Sequence, residues 1–258
     1  MMFKKLYDYR ELLKTNVKKE IRGRYKGSFL GVLWSFINPL LQVAVYAIVF
    51  PYLMGATQKN YLLYLVTGII PWNFFIMTVS QGMTTIKSNA GIIKKVYFPR
   101  EILPISVVAS GLINFLISCV IILAFCVWYG IGVSWHIVFL PMVALIQTLL
   151  ILGLVFALSA INAYIQDTEY IVGFALNMMF YGSPIIYELS RFSSAGILYK
   201  LVSWNPFTQV LQGYRDIFIN QTVPNVTNLL IVFIVSAVIT VVGYIIFKKL
   251  EISFAEEL

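Results

Sequence analysis

Five long stretches of this sequence contain no Asp, Glu, Lys or Arg. They run from Gly27 to Gln58, Asn60 to Ile86, Ile102 to Gln166, Ile171 to Tyr187 and Ile217 to Phe247. A helix needs about 20 apolar residues to cross a hydrocarbon core about 30 Å thick. Only 12% of the 258 residues are charged, whereas soluble domains carry about 25%. The pattern therefore predicts an all-α integral membrane protein.

The third stretch is long enough for two crossings, and two glycines at 130 and 132 mark the turn between them. The sequence therefore predicts six transmembrane helices. Their expected ranges are Ser28 to Met54, Tyr61 to Met83, Ile102 to Tyr129, Trp135 to Ala163, Ile171 to Tyr187 and Asn228 to Phe247.

The distribution of Lys and Arg predicts the orientation of these spans. With the N-terminus inside, fifteen of the 19 basic residues fall in cytoplasmic segments and four in outer ones. Basic residues concentrate on the cytoplasmic side of membrane proteins. We therefore expect both termini to lie in the cytoplasm.

Nine of the basic residues precede the first span, within residues 1–27. On a helical wheel one face carries Phe3, Leu6, Tyr9, Leu13, Val17 and Ile21, and most of the lysines fall elsewhere. An amphipathic basic helix of this kind lies in the headgroup layer, where anionic lipids attract it. A soluble basic tail is the alternative reading.

The predicted spans contain no charged side chain, which excludes several mechanisms. Ionisable groups within a bilayer are costly and mark proton relays, ion coupling or voltage sensing. The sequence also lacks a G-x-x-x-x-G-K-[ST] phosphate loop. We therefore expect a protein without its own nucleotide-binding site and without a metal or catalytic centre, for which any energy must come from another chain.

Aromatic side chains are dense in the spans, and they have two interpretations. Most such residues anchor a helix at the membrane interface or pack in the bundle. As a set, flat rings could also line a path along which a sugar polymer slides. The residues assigned to this path are Trp34, Tyr46, Trp72, Phe74, Phe75, Tyr181 and Tyr187.

Two connections carry further signals. In the second, residues 84–101, a helix from Thr84 to Val96 would contact a cytoplasmic partner, although an ordinary basic loop fits the same pattern. In the fifth, residues 188–227, the apolar runs are too short to span and suggest re-entrant helices that form an outer gate. A Gly-Ser-Pro sequence at 182–184 should break the fifth span near its outer end.

Four motifs resemble the membrane subunit of ABC-2 type exporters of polysaccharides, the family that serves O-antigens, capsules and teichoic acids. They are "EIRGRYKGSFLGVLWSFINPL", "KKVYFPREILP", "QDTEYIVGFALNMMFYGSPIIY" and "WNPFTQVLQGYRD", in this order from about Glu20 onwards. The resemblance implies a homodimer in the bacterial cytoplasmic (inner) membrane that moves an undecaprenyl-linked glycan. It also implies a cytoplasmic ABC ATPase dimer as partner, which would hold the ATP and Mg²⁺.

The resemblance suggests roles for individual residues. Arg22 and Arg24 would receive the pyrophosphate of the lipid, since guanidinium groups bind phosphate oxygens in pairs. The coupling to the ATPase would involve Lys94, Lys95, Arg100 and Glu101. The outer gate would include Pro184, Asn205, Pro206 and Arg215.

The expected organisation is a cytoplasmic interfacial helix at 1–27 followed by a six-span domain at 28–258. The partners are a second copy, the ATPase, the glycan and membrane lipids, with no nucleic acid. Three alternatives stay open: a teichoic acid or capsule exporter of the same family, an ABC-2 exporter of drugs or small molecules, and an assembly factor that organises glycan synthases. An enzyme ranks below these, because no nucleophile paired with a base is discernible.

Overall fold

The computed structural model describes residues 7–54, 60–192 and 196–257. Within these ranges every regular element is a helix, which confirms the predicted all-α class. The α-helices are α1 Arg10–Tyr25, α2 Trp34–Met54, α3 Tyr61–Ser88, α4 Ala90–Ile93, α5 Ile102–Trp128, α6 Leu140–Tyr164, α7 Thr168–Tyr181, α8 Ile197–Trp204, α9 Pro206–Arg215, α10 Val226–Leu250 and α11 Phe254–Glu257. Short 3-10 turns and one π-helical turn, Asp216–Asn220, join some of them.

Five helical segments in the described part of the chain are long and apolar enough to cross a membrane. They are Trp34–Tyr52, Tyr61–Ser88, Ile102–Trp128, Trp135–Tyr164 and Val226–Ser253. These segments confirm five of the six predicted spans. The fifth predicted span differs: α7 has only 14 residues and ends at Tyr181, so residues 182–187 continue without a helix.

Helix α3 is the centre of the bundle. In its most apolar stretch 78% of the residues are buried within the chain, against 17% in α2 and 22% in α10. It packs against α2, α5, α6, α7 and α9. Helices α2 and α10 therefore lie on the perimeter, where most of their apolar side chains are exposed on this chain.

Helices α6 and α10 form the closest long contact of the bundle. A Cβ on Gly153 would lie 2.6 Å from the backbone nitrogen of Thr240, and one on Gly243 would overlap the carbonyl oxygen of Gly153. The hydroxyl of Thr240 donates a hydrogen bond to Leu149 O at 2.8 Å. Small residues at the crossing allow the two backbones to approach, as in other membrane helix pairs.

The N-terminal segment forms helix α1, as predicted from residue 10 onwards. Leu13, Val17 and Ile21 are half-buried, and Lys14 and Lys18 are exposed. Part of the apolar face packs against α5 rather than facing lipid alone. Phe3 and Leu6, also assigned to this face, lie outside the described residues. The position of α1 in the headgroup layer stays a prediction.

The helix predicted from Thr84 to Val96 is wrong in its bounds. Helix α3 continues to Ser88, and a separate single turn, α4, follows Asn89. The side-chain amide of Asn89 donates to Thr85 O at 2.8 Å, a local bond that competes with the helical backbone. The connection is therefore the end of a span plus one short turn.

Helix α7 and the segment after it follow α3 along its length. At one end Glu169 accepts hydrogen bonds from Asn162 Nδ2 at 3.0 Å and from Lys87 Nζ at 3.4 Å. At the other end the hydroxyl of Tyr61 donates to Ile186 O at 3.0 Å. Residues 169–186 thus pass from the last turn of α3 back to its first residue.

Candidate functional site

A polar cavity of about 210 Å³ opens between α2, α3 and α5, next to the C-terminal end of α1. We call it the amide cavity. Its lining residues are Arg24, Trp34, Ser35, Asn38, Pro39, Ile70, Asn73, Phe74, Met77, Thr78, Gly111, Asn114, Phe115 and Ser118. The combination of amides, hydroxyls and rings is unusual for a segment with the hydropathy of a membrane span.

Aromatic rings form one wall of the amide cavity. Phe74 and Phe115 stack with centroids 5.0 Å apart and planes 18° apart. Trp34 lies at the rim and is 38% exposed. Offset stacking fixes the two phenylalanine rings, so the wall offers flat apolar faces of stable orientation.

Neutral polar side chains form another part of the wall, beside the apolar Pro39, Ile70 and Met77. The hydroxyl of Ser35 donates to Asn114 Oδ1 at 2.9 Å, and Asn73 Nδ2 donates to Gln42 Oε1 at 3.1 Å. Thr78 Oγ1 is buried and has no hydrogen-bond partner among the residues that the structure describes. Buried hydroxyls are normally paired, so this unpaired atom is an exception within the wall.

The two arginines ahead of the first span differ in position. Arg24 lines the amide cavity, and its Nη2 donates to Gln81 Oε1 at 2.8 Å. Gln81 Nε2 in turn donates to Glu20 Oε2 at 2.7 Å. Arg22 is exposed and does not line the cavity. Of the two predicted head-group residues, only Arg24 is therefore joined to the site.

The residues of the amide cavity are suited to binding and not to proton transfer. Arg24 is the only lining residue whose side chain is charged at neutral pH. Amides both donate and accept hydrogen bonds, as sugar hydroxyls do, and flat rings cover the apolar faces of sugars. The guanidinium at one end can pair with phosphate oxygens.

The predicted aromatic path divides into two groups. Phe74 and Trp34 line the amide cavity. Tyr46 is half-buried, with its hydroxyl 3.4 Å from Gln42 Nε2, and Tyr181 is 61% exposed. These four side chains could face a passing molecule.

Trp72, Phe75 and Tyr187 form the second group and lie inside the packed chain. Trp72 is 2% exposed and its ring contacts those of Phe75 and Phe207 at centroid distances of 5.6 and 5.3 Å. The hydroxyl of Tyr187 donates to Tyr181 O at 2.7 Å. In this conformation the three side chains pack within the bundle, and the path role assigned to them stays a prediction.

The coupling residues also divide. Lys94 and Lys95 are exposed after α4. Glu101, in contrast, is 1% exposed, and its Oε2 accepts a hydrogen bond from Lys248 Nζ at 2.9 Å. The carboxylate is therefore turned towards α10 in this chain, and the coupling role of Glu101 stays a prediction. Glu101 joins the second connection to the C-terminal end of α10.

Arg100 belongs to the same junction. Its Nη1 donates to the carbonyl oxygen of Glu251, and Lys248 also bridges to the two carboxylate oxygens of Glu251, at 2.9 and 3.0 Å. The junction of Arg100, Glu101, Lys248 and Glu251 therefore ties two cytoplasmic segments that lie far apart in sequence.

Of the predicted gate residues, Pro184 and Arg215 lie beside Tyr64 in the first turn of α3, whereas Asn205 and Pro206 start α9 next to Phe207, whose ring contacts Trp72. Pro184 O accepts a hydrogen bond from the hydroxyl of Tyr64 at 3.3 Å. Asn205 caps α9 through Phe207 N at 3.0 Å, and Pro206 occupies the first helical position. Arg215 is buried, with its Nη2 3.3 Å from Ile185 O.

The amide cavity was missed because only charged groups were sought in the spans. A signal was present: Ser35, Asn38 and Gln42 recur at helical spacing in the first charge-free stretch, and Asn114 and Ser118 do so in the third. Such polar stripes on one helix face are a departure from uniform apolar composition. Their convergence on one cavity required the tertiary structure.

Comparison with known proteins gives consistent relatives. A family model described as ABC-2 type transporter matches residues 11–219. A Myxococcus xanthus protein named O-antigen export system permease protein RfbA is 34% identical over 257 residues, covering 100% of this chain and 99% of that protein. A Klebsiella pneumoniae protein of the same name is 33% identical over 247 residues, covering 95% and 94%. The Escherichia coli polysialic acid transport protein KpsM is 26% identical over 208 residues, 77% of each chain.

Proposed function

Because the chain belongs to the ABC-2 type transporter family, we propose that it is the membrane permease of a polysaccharide exporter. The resemblance seen in the four motifs is thereby confirmed at the level of the family. The cargo proposed is a lipid-linked glycan of the O-antigen kind, because the O-antigen permeases cover nearly the whole chain at 33–34% identity. The polysialic acid transport protein, at 26%, is a more distant relative.

The amide cavity is the single observation that best supports a glycan cargo. It pairs hydrogen-bonding amides with stacked rings inside a span, where a small apolar drug would need neither. The guanidinium of Arg24 lies at one end, next to α1. We propose that Arg24 pairs with the phosphates of an undecaprenyl-linked head group while the first sugars enter the amide cavity.

A sixth crossing is part of this proposal, and the packing of α7 supports it. Lys87, near the end of α3, contacts Glu169, whereas Tyr61, at its start, contacts Ile186. At 1.5 Å per residue, α3 rises about 39 Å between those two residues. Residues 169–186 therefore extend over a length that exceeds the hydrocarbon core of about 30 Å.

The same reasoning supports a re-entrant hairpin made of α8 and α9. Phe207, at the start of α9, contacts Trp72 and Phe75, while Arg215, at its end, lies over the ring of Tyr64. Each helix advances about 12 Å over these eight-residue steps, so α9 runs antiparallel to α3. We propose that the hairpin enters to mid-depth and returns, with its polar junction at Asn205 covered by protein.

Six crossings would put both termini on one side of the membrane, together with α4 and the exposed Lys94 and Lys95, and the basic residues favour the cytoplasm for that side. We propose that a separate ATPase dimer, carrying the ATP and Mg²⁺, docks on this surface. Tyr97, 93% exposed, and Val96, 57% exposed, would supply its apolar contacts. The junction at Glu101 would transmit movement of the surface to α10.

We also propose a homodimer, because α2 and α10 leave wide apolar faces on one chain. Leu41, Val45 and Ile48 on α2 are 57%, 56% and 66% exposed. A second copy against α2 would turn a half-open amide cavity into an enclosed path.

The two arginines provide the test. A strain depleted of this protein should lose its surface glycan and accumulate lipid-linked glycan on the inner face. Arg24→Ala should restore less than a tenth of the wild-type surface glycan, because an ionic contact worth about 1.5–3 kcal/mol is lost. Arg22→Ala, with its exposed side chain, is the matched control and should restore export.

Membrane insertion of each variant is measured in parallel. Unchanged surface glycan in the depleted strain would refute the export function itself. Equal export by the two arginine variants would refute the role of Arg24 alone.

A further inference from the structure

A second polar cavity, of about 430 Å³, lies beside the first turns of α3, at the opposite end from Lys87. We call it the outer cavity, from the orientation proposed above. Its lining residues are Tyr64, Glu188, Leu189, Ser190, Gln212, Arg215, Ile219 and Asn220. Besides the phenol of Tyr64, five of the eight side chains carry a charged, amide or hydroxyl group.

Arg215 is the unusual member of this wall. It is 3% exposed, and its guanidinium carbon lies 3.6 Å from the centre of the Tyr64 ring. Its Nη2 donates to Ile185 O at 3.3 Å. Its Nε and Nη1 are buried and have no hydrogen-bond partner within the described ranges. Buried donors are rarely left without a partner in native proteins, so these two nitrogens call for a partner that the described residues do not supply.

The fold holds Arg215 in this position. A Cβ on Gly68 would lie 3.2 Å from Arg215 Nη2 and 3.1 Å from Ile185 O, so a glycine leaves the space that the guanidinium occupies. The phenol of Tyr64 is itself fixed, because it donates to Tyr187 O at 2.6 Å. The two free donors are therefore presented by a rigid support.

The charge of the outer cavity argues against an anion. The carboxylate of Glu188 is close enough to Arg215 to interact with its charge, so the two opposite charges nearly cancel. Gln212 and Asn220 add amides, which donate and accept equally well. A set of planar polar groups with no net charge matches the alternating donors and acceptors of neutral hydroxyl groups.

We propose that the outer cavity binds one neutral sugar ring of the exported glycan after it has passed the hairpin. Arg215 Nε and Nη1 would donate to two adjacent hydroxyl oxygens of the ring. The inference rests on the proposed function and extends it, since it gives the exit side a sugar-binding site of its own. A glycan held there is hindered from sliding back.

The test uses the full chain with its ATPase partner in lipid nanodiscs. The probe is the repeat-unit oligosaccharide released by mild acid from the surface glycan of the host, titrated by calorimetry. Arg215→Lys, which keeps the charge but loses the planar fork, should weaken binding tenfold or more. Gln212→Ala, on the cavity wall, should weaken it severalfold and serves if the arginine variant does not fold.

Gln209→Ala is the matched control. Gln209 lies on the same helix, but its amide donates to Ser203 O, away from the outer cavity, so oligosaccharide binding should be unchanged. Inorganic phosphate is titrated as the anionic probe and should not compete.

Three results would overturn the inference: no binding of the oligosaccharide, equal binding by wild type, Arg215→Lys and Gln212→Ala, or displacement by millimolar phosphate. Each of these leaves the export function standing, because that function fails only if depletion of the protein leaves the surface glycan intact.

Discussion

Replacing Lys248 should destabilise the protein far more than replacing its partner Glu101. The two charged atoms are 2.9 Å apart. At an effective dielectric constant of about 20, unit charges at this distance attract by about 6 kcal/mol before desolvation is subtracted. The side chain of Glu101 is 1% exposed and that of Lys248 is 28% exposed. Desolvation therefore falls mainly on the carboxylate.

The asymmetry follows from what each substitution leaves behind. Lys248→Met leaves a buried carboxylate without its cation, which costs about 3–5 kcal/mol. Glu101→Gln leaves Lys248 bound to both carboxylate oxygens of Glu251, and the new amide can still accept a hydrogen bond. A loss of about 1 kcal/mol is expected there.

The double variant Glu101→Gln with Lys248→Met should recover most of the loss, because no unpaired charge stays buried. The free energy of unfolding is measured by titration with sodium dodecyl sulfate in detergent micelles. Lys249→Met, at the exposed neighbouring position, is the control and should change it by less than about 0.5 kcal/mol. Equal losses from the two single substitutions would show that Glu101 is solvated, and the reasoning would fail.

Three further predictions concern other parts of the bundle. Gly243→Val should cost about 1–3 kcal/mol by forcing α10 away from Gly153, seen as a lower melting temperature, and an unchanged melting temperature would contradict the close contact. Trp72→Ala should lower the yield of folded protein, whereas Trp34→Ala should fold normally and slow glycan export; the reverse pattern would return Trp72 to the path. Hydrogen bonds from the amide of Asn162 and the ammonium group of Lys87 lower the pKa of Glu169 from its ordinary 4.5. The ionised carboxylate therefore stabilises the fold above that pH. This stabilisation is lost as the pH falls through the lowered pKa. The stability difference between wild type and Glu169→Gln should therefore be present at pH 7 and vanish in acid, and a difference independent of pH would exclude the ionic contribution.

The five spans that the structure confirms were predictable because absence of charge is a local property that tertiary packing does not alter. The fifth predicted span was harder to predict from the sequence, because its helix ends at Tyr181. The local sequence marks a break at Gly182 but cannot say how the crossing continues. That depends on Asn205, whose side-chain nitrogen lies 3.0 Å from Ser183 Oγ and comes from a different element.

Sequence could predict the position of a site residue only where its side chain is exposed and makes no contact with a distant part of the chain. Lys94 and Lys95 follow a short turn and are exposed, as expected of a basic connection. Glu101 follows the same motif and is buried, because Lys248 lies 147 positions away in sequence and beside it in space. The amides of Asn73 and Asn114 carry little information singly, and only packing of α3 against α5 joins them.

The placement of charge in this chain separates two tasks. Glu101 and Arg215 are both buried, at 1% and 3% exposure, yet each lies outside the long apolar spans, at opposite ends of the bundle. Burying an ion is costly unless it is paired or bound. Glu101 is paired with Lys248 and connects two segments of the chain, whereas Arg215 is the residue for which we propose a ligand. On the proposed function, the amides and rings in the middle of the bundle would bind a neutral polymer without an ionic trap that would stop it. Arg24 and Arg215 would hold the glycan towards either end and let it slide between them, which is what stepwise movement by the proposed ATPase partner would require.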